Sequence, residues 1–245
     1  MFILNPFLCY NSLDIIPYTI EYYQKEKIDI FVLDNYSSDG SWEFLQHNKI
    51  SSKRVDTNET FNLALLLKNK FELIRNMKPD WVIRVGSDCF VTTYKPLREI
   101  IEDANKEGFN AVSMPFIRLW NTGEKRVNQD PRKVFFNYSI VLKDHICMYK
   151  VKDFKGYKAD RTRLKNENVK RIEESCILDY GNTRGKEKRE EEYQRRQLAW
   201  DQGLSRRYGT HYISASEVGW LWDSKNFKDI RKSKYWEIIC NRFGF

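Results

Sequence analysis

The stretch D-W-V-I-R-V-G-S-D, residues 80–88, joins an apolar run to a carboxylate that closes it. The β-branched and aromatic residues before Gly86 predict a buried strand. Gly86 and Ser87 break the run, so Asp88 is expected where the strand ends. Ligands of open α/β sheets sit beyond the carboxyl ends of the strands, and a carboxylate there can hold a divalent cation that bridges phosphate oxygens. Alternatively, Asp88 caps the turn that follows.

The residues before this stretch alternate between strand and helix patterns. Residues 2–8 and 28–33 are short apolar strands, and residues 13–24 between them carry apolar side chains at helical spacing. Residues 61–77 predict an amphipathic helix that leads directly into residues 80–88. Strand–helix–strand units imply parallel pairing with right-handed crossovers. We therefore expect an α/β fold with a mainly parallel sheet flanked by helices.

The second half of the chain predicts a less regular structure. A polar loop is expected over residues 118–132, and a basic, irregular segment over residues 152–170. Residues 186–200 predict a charged helix whose polar side chains face water and pair at i,i+4 spacing. Shorter helices and strands are predicted over residues 42–47, 52–57, 97–107, 111–116, 135–142 and 145–151.

Composition favours one soluble globular domain. The 245 residues are 41% hydrophobic and 15% aromatic, which suits a packed core better than a disordered chain. The formal charge, 42 − 34 = +8, favours polyanions, anionic lipid head groups or phosphorylated ligands, or simply keeps the protein soluble. The five cysteines form no CxxC pair, so we expect reduced thiols in a cytoplasmic setting rather than zinc or disulfides. No apolar run approaches the ~20 residues that span a bilayer.

Three acidic loops can supply a binding site: residues 34–40, 86–88 and 179–181. The first two follow predicted parallel strands and are expected to face one crevice. Asp34, at the end of a buried strand, can accept hydrogen bonds from a base or a ribose. Asp39 can do the same or cap the helix that follows.

Several of these blocks resemble the motifs of a known family. Residues 11–16 (N-S-L-D-I-I), 32–41 (V-L-D-N-Y-S-S-D-G-S) and 80–90 resemble, in order, three motifs of family-2 glycosyltransferases with the GT-A fold. The third of these includes the family's metal-binding DxD motif. Residues 177–184 (I-L-D-Y-G-N-T-R) resemble an H-Y-G-x-x-R segment of a subgroup of these enzymes.

This resemblance implies a fold and a donor site. The fold would be a single, Rossmann-like GT-A domain over residues 1–245, with a nucleotide-sugar-binding half at 1–116 and an acceptor-side half at 117–245. Asp34 and Asp39 are implied to hold the base and the ribose. The full set of implied nucleotide-sugar-binding positions is Asn11, Asp34, Asn35, Ser37, Asp39, Gly86 and Ser87.

The resemblance also implies a Mn²⁺ or Mg²⁺ ion that bridges the donor diphosphate. Asp88 matches the last Asp of the DxD motif and is implied as a ligand of this ion. Asp179 stands where the subgroup has His; its oxygens can bind a hard cation, or it caps the following turn. The first Asp of the DxD motif is Gly86 here, so one ribose or metal contact is missing.

The implied reaction moves a sugar from a nucleoside diphosphate sugar to a hydroxyl of a glycan, lipid-linked or protein acceptor, with inversion. Arg184 and Arg118 are candidates for binding the leaving diphosphate, or are solvated surface charges. Inversion implies a general base. Asp130 in the long loop is the candidate for this base, and Glu124 and Asp144 are its rivals.

Two other functions fit part of the pattern. Loss of a carboxylate at Gly86 is compatible with an inactive module that only binds nucleotide or glycan. The charge of +8 and the basic residues 152–170 are compatible with binding to nucleic acid or to an anionic membrane. Binding to nucleic acid leaves the acidic loops unexplained, so no such partner is expected. Peripheral membrane contact through aromatic residues such as Trp220 and Trp222 stays open.

Overall fold

The computed structural model describes residues 1–120, 130–133, 137–158, 161–183, 186–202 and 228–244. The strands of its main sheet are β1 (Ile3–Cys9), β2 (Asp29–Asp34), β3 (Ser52–Arg54), β4 (Trp81–Ile83), β5 (Cys89–Thr92), β6 (Ala111–Trp120), β7 (Asn137–Lys150), β10 (Val169–Arg171), β11 (Cys176–Asp179) and β12 (Lys228–Asp229). A separate hairpin consists of β8 (Phe154–Lys158) and β9 (Arg161–Leu164).

The helices are α1 (Ile16–Lys25), α2 (Ser41–His47), α3 (Leu63–Met77), α4 (Leu97–Lys106), α5 (Lys186–Asp201) and α6 (Trp236–Phe243). Local capping explains where α3 begins and ends. The side chain of Asn62 accepts a hydrogen bond from the Leu65 amide at 3.1 Å, and Lys78 ends the helix with a φ of 51°. Among the described residues, no helix is long and apolar enough to cross a membrane.

The strand order of the main sheet is β3-β2-β1-β4-β7-β6-β11-β5, with β10 on β6 and β12 on β7. β1 is parallel to β2 and β4, and β2 is parallel to β3. β7 and β5 run antiparallel to their neighbours. The predicted α/β fold with a mixed, mainly parallel sheet and flanking helices is confirmed.

Helices cover both faces of the sheet, and alternate residues of β4 divide between them. Trp81 and Ile83 belong to the largest apolar cluster, which includes buried residues of α1 and α4. Val82 packs on the opposite face in a second cluster with Ile74 of α3 and Tyr149 of β7. A strand buried on both faces explains the continuous apolar run of the sequence.

Three expectations about local structure were wrong. The segment 152–170 contains the β8–β9 hairpin and β10 rather than irregular backbone. Leu164 of that hairpin belongs to the apolar cluster of Val82, and Phe154 packs against it. The two strands expected over residues 135–151 are one strand, β7, with register shifts in its pairing to β6. β3 is shorter than the predicted 52–57.

Candidate functional site

The loops after β1 and β2 and the connection from β4 to β5 meet at the carboxyl edge of the sheet. Cys9 pairs with Asp34 at the ends of β1 and β2, so the loops that follow lie side by side. Together with α5 they enclose a cleft of ≈ 230 Å³. Its polar lining includes Tyr10, Asn11, Ser12, Asn35, Ser87, Asp88, Lys188, Glu191 and Arg195.

The sequence suggested that Asp88 lies at the end of β4, but the structure separates them. β4 ends at Ile83, and residues 84–88 lead to β5, which pairs antiparallel with β11. Asp179, the last residue of β11, pairs with Cys89. The segment is therefore placed by β11, whose sequence lies about ninety residues further along the chain.

Side chains of α1 hold the segment that carries Asp88. Thr19 Oγ1 donates to the carbonyl of Ser87 at 2.7 Å, and Tyr23 OH donates to the carbonyl of Cys89 at 3.0 Å. Both side chains are completely buried. Because these bonds lie one on each side of Asp88, they fix the backbone from which its carboxylate projects.

The carboxylate of Asp88 lies between two glycines. A Cβ on Gly86 would lie 2.5 Å from Asp88 Oδ1, and a Cβ on Gly181 would lie 2.8 Å from Asp88 Oδ2 and 3.1 Å from Asp179 Oδ1. Such distances are shorter than van der Waals contact. Any side chain at residue 86 would therefore displace the Asp88 carboxylate from this position.

Asp88, Cys89 and Asp179 bring potential metal ligands together, with ligand atoms all within 4.8 Å of one another. Burial, and then the negative charges of Asp88 and Asp179, raise the pKa of the Cys89 thiol well above its ordinary value. The protonated thiol donates to Asp88 Oδ1 at 3.4 Å. The two carboxylates therefore remain as candidate metal ligands. Their oxygens are hard ligands of the type that Mg²⁺ and Mn²⁺ prefer.

Arg118 of β6 contacts one of these carboxylates, that of Asp179. Its Nε donates to Asp179 Oδ2 at 2.9 Å, and the Gly181 amide donates to Asp179 Oδ1 at 2.9 Å. The pairing of Asp179 with Arg118 in the register of β11 and β6 explains this contact. A guanidinium thus lies next to the candidate metal ligands.

Asp34 and Ser37 are not among the described residues that line the cleft. Asp34 is fully buried; its Oδ2 accepts from the Ser37 amide at 3.1 Å and lies 3.3 Å from Arg54 Nε. Burial raises the pKa of Asp34, although Ser37 and Arg54 act in the opposite direction. Its Oδ1 has no hydrogen-bond partner among the described residues.

Asp39 is also absent from the described lining and is occupied by local partners. It accepts from the Leu13 amide at 3.1 Å, from the Ser41 hydroxyl at 2.5 Å and from Lys188 Nζ at 3.1 Å. Burial alone would raise the pKa of Asp39, but these hydrogen bonds outweigh it and the pKa lies below its ordinary value. Asp39 therefore serves as an anchor for the loop after β1 and for α5.

α5 packs its polar face onto the carboxyl edge, which corrects the expectation of a solvated helix. Lys188 Nζ donates to the carbonyl of Asn11 at 2.9 Å. Glu191 Oε1 accepts from Tyr10 OH and from Asn11 Nδ2, both at 2.7 Å. Arg195 is only 8% exposed, and its guanidinium lies 3.3 Å from the centre of the Tyr10 ring.

Sequence reasoning missed these α5 residues and Tyr10. Lys188, Glu191 and Arg195 recur at i, i+3 and i+7, which places them on one face of a helix. That spacing was a usable signal. Whether such a face meets water or protein is decided by the loop at Tyr10 and Asn11, which is distant in sequence.

Two of the candidate bases, Asp130 and Asp144, lie outside the cleft. Asp130 is held by Arg132, whose Nη2 lies 2.7 Å from Asp130 Oδ2 and 3.0 Å from Glu21 Oε2 of α1. Asp144 pairs with Arg171 at 2.9 Å. The structure places neither Asp130 nor Asp144 in the described lining of the cleft. Glu124 and Arg184 lie outside the described residues, as do Trp220 and Trp222.

A family model described as glycosyl transferase family 2 matches residues 8–163, more than half of the chain. The chain belongs to that family. The match covers the blocks 11–16, 32–41 and 80–90, and the resemblance they carry is confirmed. It ends before residues 177–184.

The similarities to solved structures are remote. S. aureus TarS 1–349 is 13% identical over 80% of this chain and 63% of that chain, with a TM-score of 0.47. The complex of TarS 1–349 with UDP is 14% identical over 70% of this chain and 61% of that chain, with a TM-score of 0.44. A 4-diphosphocytidyl-2C-methyl-D-erythritol synthase from Anaerococcus prevotii is 14% identical over 70% and 88%, with a TM-score of 0.36. The chain thus spans less than two thirds of the TarS structures. No curated protein matches it.

Proposed function

We propose that this family-2 glycosyltransferase moves a sugar from a nucleoside diphosphate sugar to an acceptor hydroxyl, assisted by a divalent cation. The observation that carries the proposal is the closeness of Asp179 to Asp88, which itself lines the cleft. A carboxylate pair beside an arginine is suited to binding a cation and the diphosphate that it neutralises.

The distribution of charge favours one orientation of the donor. Asp88 with its cation, and Arg118 beside Asp179, would hold the diphosphate. The nucleoside would occupy the other end of the cleft, between Tyr10 and Asn35. The cleft is smaller than the roughly 300 Å³ at which typical ligand pockets begin, so it suits the nucleoside and leaves the sugar outside. Asp34 Oδ1 has no hydrogen-bond partner within the described part of the chain, which supports a contact with a base N–H once the loop adjusts.

Asp88 and Asp179 would hold the Mn²⁺ or Mg²⁺ ion. When bound, the ion neutralises the charge that builds on the departing diphosphate. Arg118 binds phosphate oxygens in the same region, because a guanidinium can grip them bidentately. Asp179 would hold the ion while it also accepts hydrogen bonds from Arg118 Nε and from the Gly181 amide.

Inversion requires that a general base take the proton of the acceptor hydroxyl. Asp130 is the proposed base, and the ion pair with Arg132 would have to open for it to reach an acceptor. Arg184 is a proposed second contact of the diphosphate. A glycan, lipid-linked or protein acceptor fits this reaction. The five free cysteines support a reducing, cytoplasmic setting.

Thermal unfolding with UDP, GDP, ADP and CDP, and with their sugars, tests the proposal, each with and without Mn²⁺. A ligand at 100 times its Kd adds about 2.7 kcal/mol of stability. We expect one nucleotide to stabilise the protein more with Mn²⁺ than without, and Asp88→Asn to lose the Mn²⁺-dependent part. Asp80→Asn, which removes another carboxylate from the same stretch, is the control. Absence of a shift with every nucleotide would contradict the proposal, and a shift independent of Mn²⁺ would contradict the metal.

A further inference from the structure

The cleft has two carboxylates among its described lining residues, Asp88 and Glu191. Asp88 is committed to the end near Asp179 and Arg118. A third carboxylate cannot stand at Gly86 without displacing Asp88, because a Cβ there would lie 2.5 Å from Asp88 Oδ1. A lining carboxylate that contacts the nucleoside of a bound nucleotide must therefore come from an element other than the β4–β5 connection.

Glu191 of α5 satisfies this condition, and its position is fixed by the loop after β1. Its Oε1 accepts from Tyr10 OH and Asn11 Nδ2, both at 2.7 Å. Burial, and then the hydrogen bond to Glu191, raise the pKa of Tyr10 to about 12, so the phenol stays protonated and donates. Both described bonds use Oε1, which leaves Oε2 without a hydrogen bond among the described residues.

Charge decides which part of a donor Oε2 can contact. A diphosphate next to Glu191 would be repelled, whereas hydroxyl groups donate hydrogen bonds to a carboxylate. The cation-binding residues lie at Asp88, so the uncharged part of the nucleotide lies toward Glu191. Ribose has two adjacent hydroxyls, and carboxylates bind ribose hydroxyls in other nucleotide-binding folds.

We infer that Glu191 selects ribonucleotide donors by accepting a hydrogen bond from a ribose hydroxyl at Oε2. α5 thereby supplies the carboxylate contact that Gly86 lacks. This inference rests on the proposed function, since it assumes that a nucleoside diphosphate occupies the cleft. A charge-assisted hydrogen bond of this kind corresponds to a roughly ten- to hundredfold preference for the ribose over a deoxyribose.

Binding of nucleoside diphosphates to the full chain, measured by calorimetry with Mn²⁺, tests the inference. UDP, GDP, ADP and CDP are compared first, and the tightest is then compared with its 2′-deoxy and 3′-deoxy forms. Glu191→Gln keeps an Oε1 acceptor for Tyr10 and Asn11 and replaces only Oε2 with a donor. Asp201→Asn, which neutralises an exposed carboxylate on the same helix, is the control.

We expect the wild type and Asp201→Asn to prefer the ribonucleotide over at least one deoxy form by ten- to hundredfold. Glu191→Gln should lose this preference because its affinity for the ribonucleotide falls while its affinity for the deoxy form stays the same. Equal loss of affinity for both forms would show that Glu191 only tethers α5, and an unchanged preference would remove it from ribose recognition. If no nucleotide binds the wild type, the proposed function fails as well; binding without discrimination overturns this inference alone.

Discussion

The carboxylate of Asp88 occupies the space that any side chain on Gly86 would need. A Cβ on Gly86 would lie 2.5 Å from Asp88 Oδ1, and Gly181 bounds the other carboxylate oxygen at 2.8 Å. Gly86 stands where the resemblance to the family places an Asp, and the missing side chain leaves that space to the Asp88 carboxylate. We propose that the metal site is built from Asp88 and Asp179.

Gly86→Ala should displace the Asp88 carboxylate and remove the Mn²⁺-dependent thermal shift with the nucleotide. The cost in folding stability should be roughly 1 kcal/mol, because a short side chain can rotate away from the added methyl. The double variant Gly86→Ala/Asp88→Ala should recover that stability without recovering the Mn²⁺ response. If Gly86→Ala keeps the full Mn²⁺ response, the carboxylate position that we describe is not the one that binds metal.

The parallel part of the fold was predictable because its signals are local. The apolar residues 28–33 are followed directly by the turn formers of residues 34–41. β1 and β2 pair in parallel, as a strand–helix–strand unit implies. Asn35 lies at the cleft, as expected for a residue that follows such a strand, whereas Asp88 reaches the cleft through the pairing of β5 with β11. Asp34 does not line the cleft, because it is buried beside Arg54. The sequence pattern cannot distinguish a carboxylate that faces a ligand from one that pairs with an arginine.

The sequence of α5 shows that Lys188, Glu191 and Arg195 share one helix face, but not that this face packs on protein. Lys188, Glu191 and Arg195 have the composition of a solvated helix, and their partners at Tyr10 and Asn11 lie some 180 residues away. The hairpin of β8 and β9 was missed for a related reason. Its inward residues, such as Phe154 and Tyr157, are separated by lysines and a glycine, which masks the two-residue period.

Tyr23→Phe should destabilise the protein by about 1–2 kcal/mol and slow sugar-donor hydrolysis. The phenol donates to the buried carbonyl of Cys89 at 3.0 Å, and its loss leaves that carbonyl unsatisfied next to Asp88. Urea unfolding and the rate of donor hydrolysis measure the two effects. Tyr94→Phe, at a tyrosine that is 57% exposed, should change neither. A variant with reduced stability and unchanged hydrolysis would separate Tyr23 from the positioning of Asp88.

Lys70→Met should stabilise the protein and flatten part of its pH dependence. Lys70 is 5% exposed, and burial, followed by the charge of Arg84, lowers its pKa from 10.5 to about 7. Between about pH 7 and pH 10.5, Lys70 keeps its proton in the unfolded chain but has released it in the folded protein. The free energy of unfolding therefore rises with pH over this range. Below the lower value the full penalty remains, amounting to a few kcal/mol at about 1.4 kcal/mol per pKa unit.

Urea unfolding at several pH values measures this difference. We expect Lys70→Met to exceed the wild type most at pH 6 and to approach it as the pH rises toward 10. Lys68→Met, at an exposed lysine of the same helix, should follow the wild type at every pH. A constant difference between Lys70→Met and the wild type would mean that Lys70 is uncharged or equally solvated in both states.

Arg118→Ala should change metal affinity and turnover in opposite directions. Arg118 Nε holds Asp179 Oδ2 at 2.9 Å, so its removal frees that oxygen for a cation and should tighten Mn²⁺ binding. The same change removes a cation from the leaving diphosphate, which should slow donor hydrolysis by roughly a hundredfold. Arg171→Ala, which breaks the exposed pair with Asp144, should leave both unchanged. Weaker Mn²⁺ binding in Arg118→Ala would contradict this prediction. It would mean that Arg118 orients Asp179, and that Asp179 without this partner loses the geometry that the cation needs.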